Sequence, residues 1–149
     1  MFNLIQLQKY LFDYHSDFEI IKHKNPIISI TDAIQYFDIE KAVPTFVMQT
    51  EIGLIALIIS SQRGKINEKQ IKKLLGFSTF KFANKNEVKN ITGYSTGTIP
   101  LIGHCLPCIF DNILFKHDYI FGGSGDKLHT LKITPIDVVR LNHVVKYLD

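Results

Sequence analysis

The sequence predicts a mixed α+β domain of about six or seven strands and four or five helices. Three observations point there. Short strand-like runs alternate with helix-like ones along the chain. The helix-like runs carry residues suited to capping helix ends. No repeat, low-complexity tract or Pro/Gly/Ser-rich linker divides the 149 residues, so 1–149 is read as one domain.

From the N-terminus, residues 2–14 place Phe2, Ile5, Leu7, Leu11 and Phe12 at helical spacing. Phe18-Glu19-Ile20-Ile21 reads as a short strand, and the stretch from Lys22 to Pro26 breaks regular structure. Thr31 and Asp32 are suited to cap a helix that turns Ala33, Ile34 and Phe37 inward. PTFVMQT, a turn at Glu51-Ile52-Gly53, and LIALIIS read as an antiparallel hairpin. LIALIIS is apolar almost throughout, so it is expected as a central strand covered on both faces. Asn67 with Gln70, and Asn84 with Glu87, cap helices over 68–75 and 85–91, closed by Gly76 and Gly93. FSTFKF, CIF, YIFGG and KLHTLKI read as further strands, while 93–104 has no periodicity. Thr134-Pro135 opens a final helix that is expected to bury Val138, Val139, Leu141, Val144, Val145 and Leu148.

Composition excludes some function classes. With 46% hydrophobic and 21% charged residues, the chain is not disordered. Its longest apolar run, Leu54 to Ile59, is too short to cross a bilayer. The first ten residues lack the features of a secretory leader, so a cytoplasmic location is expected. A net charge of +3 permits a nucleic-acid partner without demanding one. Cys105 and Cys108 form a lone C-x-x-C with no second pair to complete a zinc site, so no metal or cofactor is expected. CLPCIF reads as the start of a buried strand, and both cysteines are expected as buried apolar thiols. A redox pair is the alternative.

Two glycine loops stand out, TGYSTGTIPLIGH (92–104) and FGGSGD (121–126). Either they are tight turns, or they bring backbone close to a ligand in one pocket. Neither fits a phosphate-binding fingerprint. No G-x-S-x-G is present, and the six histidines are scattered. His129 shares strand parity with Leu131 and Ile133, so its ring points to the inner face, as a core residue or a catalyst. His104 ends the first glycine loop, and His143 falls on the expected last helix. Lys69, Lys72 and Lys73 share one side of the 68–75 helix, and Lys81, Lys85 and Lys89 follow. Such a face is either simply solvated or able to track phosphates.

The order of these pieces resembles the YbaK / prolyl-tRNA editing domain family of aminoacyl-tRNA deacylases, over about residues 18–142 and most strongly from Lys72 onward. KLLGFSTFKFANKNEVKNITGY is similar to the family's lead-in to its glycine loop. TGTIPLIGH resembles the loop itself, with Gly97, Pro100, Gly103 and His104 at matching positions. LPCIFDNIL, with Pro107, Asp111 and Leu114, and GGSGDKLHTLKITPIDVVRL resemble the segments that follow. The resemblance implies a mixed, mostly antiparallel sheet curled into a partly open barrel flanked by helices. It implies hydrolysis of the ester on a mischarged tRNA, whose acceptor end, carrying a non-cognate amino acid, is the expected partner. Gly97, Thr98 and His129 are then the expected catalytic residues. Thr45, Ile99, Pro100, Gly103, His104, Ser124 and Gly125 are expected to bind substrate, and Lys41, Lys69, Lys72 and Lys73 the tRNA. Three positions depart from the family pattern. Pro44 stands where the family usually has a lysine, in a strand resembling V-K-T-L, and Leu101 and Thr98 replace a frequent proline and glycine. Proline offers neither an ammonium nor a backbone N–H. The alternative is therefore a tRNA- or aminoacyl-binding module of the same fold that no longer hydrolyses.

Overall fold

The computed structural model describes residues 1–149. α1 (Leu4–Asp13) begins at Asn3, whose side chain accepts the Gln6 N–H while Gln6 accepts the Asn3 N–H in return. Next come β1 (Phe18–Lys22), the single turn α2 (Ile30–Ala33), β2 (Ala42–Val43), β3 (Thr45–Thr50) and β4 (Gly53–Ile58). A 3₁₀ turn over Ser61–Arg63 leads to α3 (Glu68–Leu75), β5 (Phe80–Phe82) and α4 (Lys85–Thr92). The chain continues through β6 (Pro107–Asp111), a second 3₁₀ turn over Asn112–Lys116, β7 (Ile120–Gly123) and β8 (His129–Ile133). α5 (Pro135–Arg140) and β9 (His143–Leu148) complete it.

The strands form two sheets, ordered β1-β8-β7-β2 and β5-β3-β4-β6-β9. Four of the pairings are antiparallel, while β2–β7, β4–β6 and β6–β9 are parallel. The fold is therefore α+β with mixed, mostly antiparallel sheets that do not close on each other, as expected for a partly open barrel.

β4 shows why its sequence is apolar on both parities. Leu54, Ala56 and Ile58 enter one core, and Ile55 and Leu57 enter another. The first core lies between the sheets and takes Leu131 and Ile133 from β8 and Leu7 and Leu11 from α1. The second lies behind the five-stranded sheet, where Ile71 and Leu75 of α3 pack on Met48, Ile55 and Leu57. α3 is capped by the Asn67 side chain, and Gly76 ends it in the left-handed region, as the sequence suggests.

Several expectations are corrected. The last helix stops at Arg140, and residues 143–148 form β9, with His143 on a strand rather than a helix. The Asn142 side chain donates to the Val138 and Leu101 carbonyls, which seals the helix end. Val144, Val145 and Tyr147 suit a strand, and they fit helical spacing only by coincidence. Val145 is exposed there, not buried. In α1 only Leu7 and Leu11 are buried, while Ile5 and Phe12 face solvent. Ser29, not Thr31 or Asp32, caps α2, and Ile34 beyond it is exposed. Cys108 is buried in the core, but Cys105 is exposed and has a positive φ of 62°.

Candidate active site

One cavity of about 320 Å³ opens between the edge β2–β3 segment and the two glycine loops, in the size range of small-molecule sites. Pro44, Thr45 and Phe46 come from the strand side, and Thr96 to Ile99 from the first glycine loop. Phe121 to Ser124, Asp126, His129 and Thr130 come from β7, its following loop and β8. The remaining wall is the segment Ile27–Phe37, where Phe37 stacks on Phe121 with centroids 4.4 Å apart.

The glycines let these walls approach each other. A Cβ on Gly97 would stand 2.6 Å from the Ile28 carbonyl oxygen, and one on Gly123 would run into the Ile99 carbonyl. The Leu101 N–H donates to the Gly123 carbonyl at 3.0 Å and ties the two loops together. The amides of Gly97, Ile99 and Ser124 donate to no protein acceptor. They are therefore free to bind a ligand oxygen.

Three buried side-chain polar atoms in the chain have no hydrogen-bond partner: Thr45 Oγ1, His129 Nδ1 and His104 Nε2. The first two belong to residues that line this cavity. His129 Nδ1 stands 3.3 Å from Asp126 Oδ1, off the line of a hydrogen bond. The Asp126 carboxylate accepts the Leu128 N–H at 2.8 Å, and mainly this bond holds it below the usual carboxylate range. The Ser124 hydroxyl is fully engaged, donating to the His129 carbonyl at 2.6 Å and accepting the Asp126 N–H at 3.2 Å. His23 supports the floor, with Nε2 3.1 Å from Thr130 Oγ1 and Nδ1 2.7 Å from the Asn25 carbonyl.

The sequence-derived candidates thus divide. Thr45, Gly97, Thr98, Ile99, Ser124 and His129 share the cavity wall. Pro100, Gly103, His104 and Gly125 do not, nor does Lys41. Gly103 instead borders a second hollow beside Cys105 and Asn142. Lys69, Lys72 and Lys73 lie on α3, which packs on the second core, and none of them lines the cavity. Sequence reasoning missed Asp126, whose only signal was its place at the end of FGGSGD, three residues before His129. Ala33 and Phe37, read as inward-facing, do line the cavity, but sequence reasoning did not assign them or Ile27–Ile30 to the site.

His104 has a structural role instead. It is 2% exposed, and its Nδ1 accepts the Leu106 N–H at 3.1 Å. Burial pushes the imidazole down to about 4, only partly offset by the Asn142 side chain. The unfolded chain, with an ordinary histidine near 6.5, takes up this proton first. The contribution is therefore full above about pH 6.5 and is lost as pH falls toward about 4. His104→Gln is expected to flatten the fall in stability between pH 7 and 4 by about 3 kcal/mol. Urea denaturation of both proteins across that range checks this, and parallel curves would refute it.

A family model described as the aminoacyl-tRNA editing domain matches residues 25–141, which includes every wall of the cavity. The chain belongs to the aminoacyl-tRNA editing domain family. Solved structures share the fold of this editing domain. The hypothetical protein APE2540 superposes with a TM-score of 0.82 at 20% identity, covering 98% of each chain. A proposed trans-editing enzyme for prolyl tRNA synthetase gives 0.78 at 18% identity, covering 98% of this chain and 96% of that one. No curated protein sequence matches. No helix is long and apolar enough to cross a membrane.

Proposed function

We propose that this editing domain, taken as one unit over 1–149, is a trans-acting aminoacyl-tRNA deacylase that hydrolyses the ester of a mischarged tRNA. The observation that carries this reading is the set of unpaired amides, Gly97, Ile99 and Ser124, on residues around one cavity. An aminoacyl ester is already activated, so the site has to hold its carbonyl, bring a water to it and stabilise the oxyanion that forms. Backbone donors placed for the oxyanion are worth about 10²–10³ in rate. The Gly97 and Ile99 amides supply donors for that task, with the Thr98 N–H between them held by the Ser95 carbonyl, and His129 Nδ1 is the free nitrogen able to orient or deprotonate the water. No side-chain nucleophile is required. The apolar wall of Ile28, Phe37 and Ile99 suits an uncharged amino-acid side chain. The likeness to a proposed trans-editing enzyme supports the same reading.

Pro44 favours a second reading. The cavity is lined by no lysine or arginine, and Pro44 fills the wall position where the family usually has lysine. A module that binds the aminoacyl end without cleaving it fits that observation. A panel of mischarged tRNAs decides between the two. Loss of at least one ester well above its spontaneous rate is expected. Binding with unchanged ester lifetimes throughout would replace the first reading by the second, and no binding would reject both.

A further inference from the structure

We infer that the cavity recognises the positively charged α-amino group of its aminoacyl ester, with Asp126 as the charge that selects it. This rests on the proposed function and adds the ligand group that this particular chain reads.

Charge makes the first argument. Of the 21 residues around the cavity, Asp126 is the only one with a formal charge at neutral pH, leaving histidine aside. Its Leu128 hydrogen bond keeps it ionised. A site of this sign disfavours a terminal phosphate and favours an ammonium group. The second argument is the unpaired Thr45 Oγ1. It is buried in a residue 6% exposed, with no partner inside the protein, on a residue that lines the same cavity. Buried polar atoms are rarely left so, and a ligand donor supplies what is missing. An ammonium has three N–H donors, and residues lining the cavity carry a carboxylate and an unpartnered hydroxyl oxygen able to accept them. An α-hydroxy acid of the same shape would lose the charge and two of those donors.

The test uses stable amide analogues, 3′-alanylamino-adenosine and 3′-lactylamino-adenosine, which differ only in an ammonium against a hydroxyl. Binding to the full chain is measured by calorimetry at low and physiological salt. The alanyl compound is expected to bind about tenfold more tightly or better. Salt is expected to erode this preference, because the Asp126 side chain is 45% exposed at the cavity mouth. Asp126→Asn, which keeps an acceptor for the Leu128 N–H, is expected to bring the two affinities together. Equal affinities in the wild type would overturn the inference while leaving the proposed function standing, and that comparison needs no variant. A preference that survives intact in folded Asp126→Asn would overturn it as well. Binding of neither compound would reject the reading of the cavity itself, and this inference with it.

Discussion

Gly97→Ala is expected to slow ester hydrolysis by about 100-fold or more while the protein remains folded. Gly97 does not have a positive φ, so alanine's backbone is tolerated and the effect comes from contact alone. The new Cβ would meet the Ile28 carbonyl oxygen at 2.6 Å and the Ile28 Cβ at 3.1 Å. Backbone cannot swing aside as a flexible side chain can. Ile28 is also anchored: its N–H donates to Asp32 Oδ2 at 3.1 Å, and the preceding Ile27 N–H donates to the Lys127 carbonyl at 2.7 Å. The glycine loop therefore yields, and the free amides around Gly97 move with it. Oxyanion donors act within a narrow range of distance, so a shift of a few tenths of an ångström removes much of their effect. Overpacking of this kind costs about 1–3 kcal/mol of stability, which a sound core tolerates. kcat/KM on a mischarged tRNA, with thermal unfolding alongside, checks both halves. Undiminished turnover in the folded variant would remove Gly97 from the proposed machinery.

Asp111→Ala is expected to cost about 3–5 kcal/mol of stability. Asp111 is fully buried at the end of β6. Its Oδ2 accepts Arg63 Nε at 2.7 Å and the Ser60 N–H at 2.9 Å, and its Oδ1 accepts Arg63 Nη2 at 2.7 Å and the Ile113 N–H at 3.1 Å. One carboxylate thus joins the turn after β4 to the turn after β6. Alanine leaves the guanidinium and two amides without their acceptor, and each unmade bond carries its own desolvation cost. Urea titration measures the loss, and a change below about 1 kcal/mol would show that water replaces the carboxylate. Asp111 stood out in the sequence only through the family resemblance. Its place in the structure is a clamp rather than part of the cavity.

Where one physical signal dominated, the sequence was legible. An apolar run identified β4, alternation in FSTFKF identified β5, and paired cap residues identified α3 and α4. β9 was missed because Val138 to Leu148 satisfies helical spacing, and only the Asn142 seal and pairing with β6 decide otherwise. β2 escaped because a two-residue strand has no period. In the cavity, glycine loops and strand parity brought Gly97, Ser124 and His129 together on paper, and they do share a wall. His104 and Gly103 continue the same loop, yet the chain turns away after Ile99, with positive φ at Gly103 and Cys105. Direction of that kind depends on packing between distant segments, which local pattern does not encode.

The lysines of α3 stand on a helix packed against the second core, and no lysine or arginine lines the cavity. An RNA that delivers its end to the cavity therefore meets no cation in the cavity wall, and its phosphates are neutralised elsewhere on the protein or stay in solvent.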